Sequence, residues 1–293
     1  MTWVRLILEA EGEDPQALAT RLEALGAASV TFEDAGDEPL LEPGVGETPL
    51  WRRTRVIGLF EAGQGRRARQ RLAHALPEAT RLALEPLPDR DWTRAWLDAF
   101  RPLRFGRRLW VVPSGFAPPP EAEVVLRLDP GLAFGTGTHP TTALCLEWLE
   151  AHPPEGQEVV DYGCGSGILA VAACLLGAVQ VVAVDHDPQA LAATRANAQR
   201  NRVHDRIQAC RPEDAPAGTA DLVLANILAN PLIELAPRLA GRVRPGGRIV
   251  LSGILEAQAG AVAAAYAPMF ALAPPRVREG WVCLEGVRKV EGG

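Results

Sequence analysis

Over the first 90 residues, short apolar stretches alternate with helical spacings. Trp3 to Glu9 is a strand candidate. Asp14-Pro15 then offers an N-cap and a first-turn proline, Leu18, Leu22 and Leu25 follow at helical spacing, and Gly26 is the stop. Ala28 to Phe32 is β-prone, and the acidic, Gly/Pro-rich stretch from Asp34 to Pro49 reads as an exposed loop. Arg52 to Phe60 predicts a long strand, Arg66 to Leu76 a basic helix, and Arg81 to Leu87 a closing strand. The order βαββαβ is that of a small ferredoxin-like unit, an α+β architecture that hosts many functions and assigns none.

Asp91 to Phe100 predicts a short amphipathic helix between Pro88 and Pro102. Trp92, Trp96 and Phe100 lie four apart and share a face, so docking against a domain is a plainer role for them than ligand stacking. From about residue 120 the pattern becomes strand, loop, helix in repetition. Val159–Asp161, Val181–Asp185, Leu222–Ala225 and Arg248–Ser252 are short apolar runs with helical segments between them. Such strands are buried on both faces, which predicts an α/β domain with a parallel sheet flanked by helices. Ile168 to Val184 is the longest apolar run. It contains Gly177 and Gln180, falls short of the ~20 residues of a membrane span, and reads as a buried helix feeding a buried strand. The tail, Arg276 to Val290, resembles a final pair of strands turning near Gly280.

Composition sharpens this division. At 293 residues, two domains are expected, and 47% hydrophobic with 23% charged residues excludes wholesale disorder. The expected boundaries are residues 1–88, a connector over 89–119, and 120–293. The net charge of -6 conceals two opposed blocks. Residues 1–50 carry 2 arginines against 11 acids, and residues 51–110 carry 14 arginines against 6 acids. The basic stretch Arg52, Arg53, Arg55, Arg66, Arg67, Arg69 and Arg71 has three readings: contact with an acidic protein patch, contact with ribosomal RNA, or a solvated helix face. Five cysteines form no CxxC pair, which points to reduced thiols and a cytoplasmic protein. Arg5 and Glu9 interrupt the N-terminal apolar stretch, so no secretory leader is expected, and nothing suggests a membrane partner or a metal.

The chemistry concentrates in four segments. Val159 to Ala170 runs from apolar strand through Asp161, Gly163, Gly165 and Gly167 into a helix. Glycines permit a tight turn, and the helix start offers unpaired N–H groups to a ligand. A dinucleotide fingerprint would need a glycine where Ile168 stands, whereas G-x-G-x-G after an acidic residue is the pattern of S-adenosylmethionine methyltransferases. A purely structural turn is the bland alternative. Asp185 ends the next strand 22 residues after Gly163, where a carboxylate meets ribose hydroxyls; the alternative is a helix cap, a role that Asp187 fits better. Glu213 and Asp214 are either partners of an adenine amino group or solvated loop acids. Asn226 ends a further apolar strand, where an amide carbonyl can accept N–H bonds from a substrate amine; helix capping is the alternative. No aromatic follows Asn226, which argues against a flat substrate and for an aliphatic amine. Leu128 to Thr142 reads as a loop able to fold over a ligand, with His139 either a hydrogen-bonding fixture or a general base.

LDPGLAFGTGTHPTT, followed by VVDYGCGSGILAVAA, AVDHDPQAL and ANILANPL at these spacings, closely resembles the bacterial methyltransferases of large-subunit ribosomal protein eleven (the PrmA family). The resemblance extends to the linker tryptophans and the WVVPSG strand, while the N-terminal unit matches in order of elements more than in motif. It implies a class I methyltransferase domain with a Rossmann-like sheet. The implied reaction moves methyl groups from S-adenosyl-L-methionine to lysine side-chain and N-terminal amines of that ribosomal protein. The small N-terminal domain would recognise the target, with the linker presenting different amines to one centre. Carried over by position, Thr142, Gly163, Gly165, Asp185 and Asn226 are the implied cofactor contacts, and Phe134, Thr136 and His139 belong to the covering loop. Asn226 is also the implied amine-orienting residue; no base is nominated. The competing expectations are a methyltransferase of RNA or of a small-molecule amine, a nicotinamide-dependent dehydrogenase, and a non-catalytic ribosome-associated module.

Overall fold

A computed structural model describes residues 3–9, 13–36, 48–76, 81–87, 101–129 and 137–290. The chain divides into two compact units, Met1–Trp96 and Leu97–Gly293. Trp92, Trp96 and Phe100 of the expected connecting helix, and Phe134 and Thr136 of the expected covering loop, lie outside the described residues.

The first unit runs β1 (Trp3–Glu9), α1 (Pro15–Ala24), β2 (Ser29–Asp34), β3 (Thr54–Glu61), α2 (Ala62–Ala75) and β4 (Arg81–Leu87). Its sheet has the order β2-β3-β1-β4 with every neighbouring pair antiparallel, the ferredoxin-like arrangement expected from the sequence. Asp14 caps α1, its carboxylate accepting the Gln16 N–H at 3.1 Å, and Pro15 follows in the first turn. Alternation in β1 buries Val4, Leu6 and Leu8 with Leu18, Leu22, Phe60 and Leu72. The other face of β1 carries Arg5, paired to Glu33 at 3.1 Å, and Glu9, paired to Arg55 directly across on β3.

The second unit opens with a small sheet of β5 (Leu103–Phe105), β6 (Leu109–Val112) and β7 (Val124–Arg127). The large sheet comprises β8 (Glu158–Tyr162), β9 (Gln180–Val184), β10 (Ile207–Cys210), β11 (Ala220–Asn226), β12 (Val243–Leu255), β13 (Phe270–Leu272), β14 (Arg276–Arg278) and β15 (Trp281–Arg288). Its order is β10-β9-β8-β11-β12-β15-β13, with β14 paired to β15. The first five strands are parallel, and β15 runs antiparallel to β12, β13 and β14. Alternating residues of each strand feed two separate cores. One holds α3 (Pro140–Ala151), α4 (Ile168–Leu175) and α5 (Pro188–Arg200), with Trp148, Leu169 and Leu191 buried. The other holds α6 (Ala229–Glu234), α7 (Ala236–Arg242) and α8 (Ala259–Tyr266), with Leu232, Leu239 and Tyr266 buried. The apolar run from Ile168 therefore splits, as expected, into a buried helix and a buried strand. Between β10 and β11, however, residues 211–219 cross without a helix.

The chain leaves β8 toward β9 and β10, then returns to β11 on the opposite side of β8. Strand order thus reverses between β8 and β11. In open α/β sheets the crevice at the carboxyl ends of two such strands is where ligands bind. Here those ends carry Asp161, Tyr162 and Gly163 on one strand and Asn226 and Ile227 on the other.

Candidate functional site

A cavity of about 650 Å³ opens at this reversal, within the size range of small-molecule sites. Its lining brings together His139, Gly163, Gly165, Asp185 and Asn226 from the residues singled out in the sequence. Thr142 stands behind the wall, fully buried, and reaches the cavity through Asn226. The Glu213 and Asp214 side chains do not line it; both are exposed, Glu213 lies 3.9 Å from Arg211, and Pro212 forms the wall there instead.

The glycine loop is fixed by the strand beside it. Gly163 and Cys164 both donate to the Val184 carbonyl, at 2.7 and 3.0 Å. Gly163 has φ +77, and a Cβ there would collide with Ile227 Cγ2. Across the crevice Gly253 (φ +87) meets the Ile227 carbonyl in the same manner. Two glycines therefore let Ile227 wedge between β8 and β12, which sets where Asn226 stands.

Asp185 sits one residue beyond β9, with a side chain only 10% exposed. Its Oδ2 accepts the Gly165 N–H at 2.9 Å and its Oδ1 accepts the Asp187 N–H at 3.0 Å. The carboxylate is held rigidly against the loop, and its two oxygens retain acceptor capacity beyond these two bonds. Asp187, not Asp185, caps α5, accepting from the Gln189 N–H at 2.8 Å. Asp187 thus takes the capping role that its sequence position suggested.

Asp161 lies beneath the loop, 1% exposed, and accepts the Ala170 N–H at 3.0 Å. Burial raises its pKa to about 7, against the lowering effect of that hydrogen bond and with a smaller push from the Asp185 charge.

The first turn of α3 is stitched to two strand ends. Ser252 Oγ donates to the Thr141 carbonyl at 3.1 Å, and Asn226 Nδ2 donates to Thr142 Oγ1 at 3.2 Å. Among the described residues, the buried Asn226 Oδ1 accepts no hydrogen bond. Leaving such an acceptor unpaired costs ~1–3 kcal/mol, so the amide is an oriented acceptor in search of a donor. Helix capping, the bland reading of Asn226, is not its role here: α6 begins after Leu228, and no side-chain bond caps it.

His139 is the N-cap of α3. Its Nδ1 accepts from the Thr141 N–H at 3.4 Å and lies 2.8 Å from Thr141 Oγ1. The ring packs edge-on against Trp281, with centroids 4.8 Å apart. That is the fixture expected of a loop histidine. Trp281 itself, like Tyr162 and Leu228, was not among the expected site residues, although all three line the cavity. Tyr162 stood in view inside the glycine motif, and Leu228 lay two residues past Asn226. Trp281 lies 55 residues downstream, and its only sequence signal was the turn near Gly280.

The family model described as "Ribosomal protein L11 methyltransferase (PrmA)" matches residues 2–289. The chain is 53% identical over 297 residues to the ribosomal protein L11 methyltransferase of Azotobacter vinelandii, covering 99% of this chain and 100% of that one. It is 54% identical over 298 residues to the protein of the same name from Methylococcus capsulatus, covering 98% and 99%. Among solved structures, the ribosomal protein L11 methylase of Lactobacillus delbrueckii subsp. bulgaricus superposes with TM-score 0.60 at 34% identity, covering 65% of this chain and 100% of that chain.

Proposed function

Because the chain belongs to the ribosomal protein L11 methyltransferase family, we propose that it methylates lysine side-chain and N-terminal amines of ribosomal protein L11, using S-adenosylmethionine. The observation that carries the reading is the buried carbonyl of Asn226 at the strand-order reversal, which has no hydrogen-bond partner among the described residues. S-adenosylmethionine, when bound, supplies a methyl group already activated on a sulfonium, so the chain's work is binding, orientation and exclusion of water.

The residues present fit that group. Gly163 and Gly165 let a ligand approach the backbone, and Asp185 offers a fixed carboxylate suited to a vicinal diol. Asn226 Oδ1 is placed to accept an N–H of the incoming amine, while Thr142 holds the amide from the other side. A lysine amine has a reference pKa of ~10.4 and reacts only when neutral. The apolar walls of Ile227, Leu228, Pro231 and Leu235 disfavour the ammonium form, which favours proton loss to water on entry without a dedicated base. His139, committed to capping α3, is not required as one.

The small N-terminal unit is the part we assign to target recognition. An enzyme acting on a ribosomal protein works in the cytoplasm. Five unpaired, buried cysteines accord with that compartment, and among the described residues no helix is long and apolar enough to cross a membrane. The test is transfer of labelled methyl groups to purified L11 and, separately, to ribosomal RNA. The wild type should label L11, and Asn226→Ala should do so about 100-fold more slowly, by analogy with the loss of one positioned polar group in other enzymes. Its affinity for S-adenosylhomocysteine should change far less. Label found only in RNA would overturn the reading.

A further inference from the structure

One face of the large sheet is left open over β8 and β9. Helices α4 and α5 cover the other face of those strands. On the open side α6, α7 and α8 pack over β11, β12 and β15, and residues 211–219 cross from β10 to β11 without a helix. A strand inside a parallel sheet is ordinarily covered on both faces. Val182, in the middle of β9, is nevertheless only partly buried on this side. A cavity of about 280 Å³ lies there, against Val160, Tyr162, Val182 and Val184, at the small end of ligand cavities. Tyr162 and Val184 also line the larger cavity, and no other residue is shared. The small cavity extends instead to Glu158 and Gln180 at the opposite ends of β8 and β9. Glu158 lies about 13 Å back along the strand from Tyr162, at ~3.3 Å per residue.

Two arginines, one turn apart on α7, shape the space. Arg238 donates to the Pro212 carbonyl at 2.8 Å and lies over the Tyr162 ring, 5.7 Å from its centroid. Arg242 lines the cavity and donates through Nη1 to the Pro216 carbonyl. Holding the crossing segment accounts for one of its five N–H donors and leaves the valine floor uncovered. Among the described residues Arg242 has no carboxylate partner. Glu158, the one acid in the lining, is exposed to solvent and forms no ion pair with Arg242. An apolar floor calls for a hydrocarbon body, and a guanidinium fork matches a carboxylate. We propose that this cavity binds a small carboxylate with a compact apolar body, its oxygens on Arg242 and its hydrocarbon on Val160 and Val182. The site is separate from the one assigned to methyl transfer, and it stands on its own geometry.

The full-length protein with labelled valine methyl groups, titrated with hexanoate and followed by NMR, tests this. Hexanol and hexylamine serve as the neutral and cationic comparisons. Saturating S-adenosylhomocysteine is present throughout, so that the larger cavity is closed to the probes. Hexanoate should shift the Val160 and Val182 methyls and saturate in the millimolar range expected of so small a ligand. Hexanol should bind about tenfold more weakly, the scale of one charge-assisted hydrogen bond at a partly solvated site, and hexylamine more weakly still. Arg242→Gln keeps a donor for the Pro216 carbonyl; it should weaken hexanoate about tenfold and leave hexanol unchanged. Val182→Phe, which fills the floor, should abolish both. Hexanoate bound no better than hexanol or hexylamine by the wild type overturns the proposal without any variant. So does hexanoate that binds only when S-adenosylhomocysteine is omitted, since it would then occupy the larger cavity. Hexanoate affinity unchanged in Arg242→Gln, with the remaining methyl spectrum intact, overturns it as well. If S-adenosylhomocysteine itself moves no valine methyl, the function proposed above is in trouble, and hexanoate still decides this site.

Discussion

A buried carboxylate is an uneasy component of a folded protein, and Asp161 occupies that position. Its Oδ2 accepts from the Ala170 N–H, the surrounding core is apolar, and the Asp185 charge adds to the penalty of ionising. The raised pKa makes a thermodynamic statement. Between the ordinary aspartate value of 3.8 and about 7, the folded protein holds a proton that the unfolded chain has released. Stability from this group is therefore present at low pH and is lost as pH rises through that window. The full loss is on the order of 4 kcal/mol above pH 7. Asp161→Asn keeps an acceptor for Ala170 and removes the titration. Urea midpoints from pH 5 to pH 8 should fall more steeply for the wild type than for the variant. Parallel curves would mean that Asp161 ionises freely in the folded state.

At the scale of elements, what was legible in the sequence was what local chemistry dictates. The Asp14-Pro15 cap, the G-x-G-x-G corner and the apolar strand ending in Asn226 each declare themselves within a few residues. The ferredoxin-like order emerged because every element of that unit alternates or caps in its own right. β10 and β13 were missed because runs of four and three residues carry too little periodicity to register. The reversal of direction at β15 was equally hidden, since strand direction is set by pairing across the sheet and not by composition. The clearest functional loss was Trp281. Its place in the cavity depends on the β14–β15 hairpin, whose turn uses Glu279 and Gly280 at positive φ. Arg276 and Arg278 of that hairpin both reach Glu147 on α3, at 3.6 and 2.8 Å. The helix that His139 caps thus also holds the hairpin that brings Trp281 onto His139. No aromatic closely follows Asn226 in sequence; Trp281 of β15 lines the same cavity from a distant part of the sequence. Trp281→Ala should lower kcat/KM for the target protein about tenfold, the scale of one lost aromatic contact, with Trp281→Phe in between. The melting temperature should move little, because the side chain is only partly buried. An unchanged kcat/KM in the alanine variant would remove Trp281 from the site.

For the whole molecule, the cysteines divide the chain as sharply as the charges do. Cys145, Cys164, Cys174, Cys210 and Cys283 are all buried, and all belong to the second unit. Reactivity requires the thiolate. Cys145 is raised by its hydrogen bond to Cys283 and by burial; burial is also the leading cause for Cys164, Cys174 and Cys210, with Cys174 reaching about 11. Burial therefore shields all five native thiols, suppressed ionisation adds to it at Cys145, Cys164, Cys174 and Cys210, and neither protection survives unfolding. The three hydrophobic clusters are distributed likewise: one core in the first unit and two, on opposite sheet faces, in the second. Alkylation at pH 8 should accordingly be slow in the native protein and rapid at all five positions in denaturant. Its urea dependence should follow unfolding of the second unit alone. Far-UV circular dichroism senses the helices and strands of both units, so comparing the two midpoints measures whether they unfold together. Coincident midpoints would show one cooperative transition across the chain. A thiol midpoint displaced from the dichroism midpoint would show two, and rapid labelling of any cysteine without denaturant would contradict its burial.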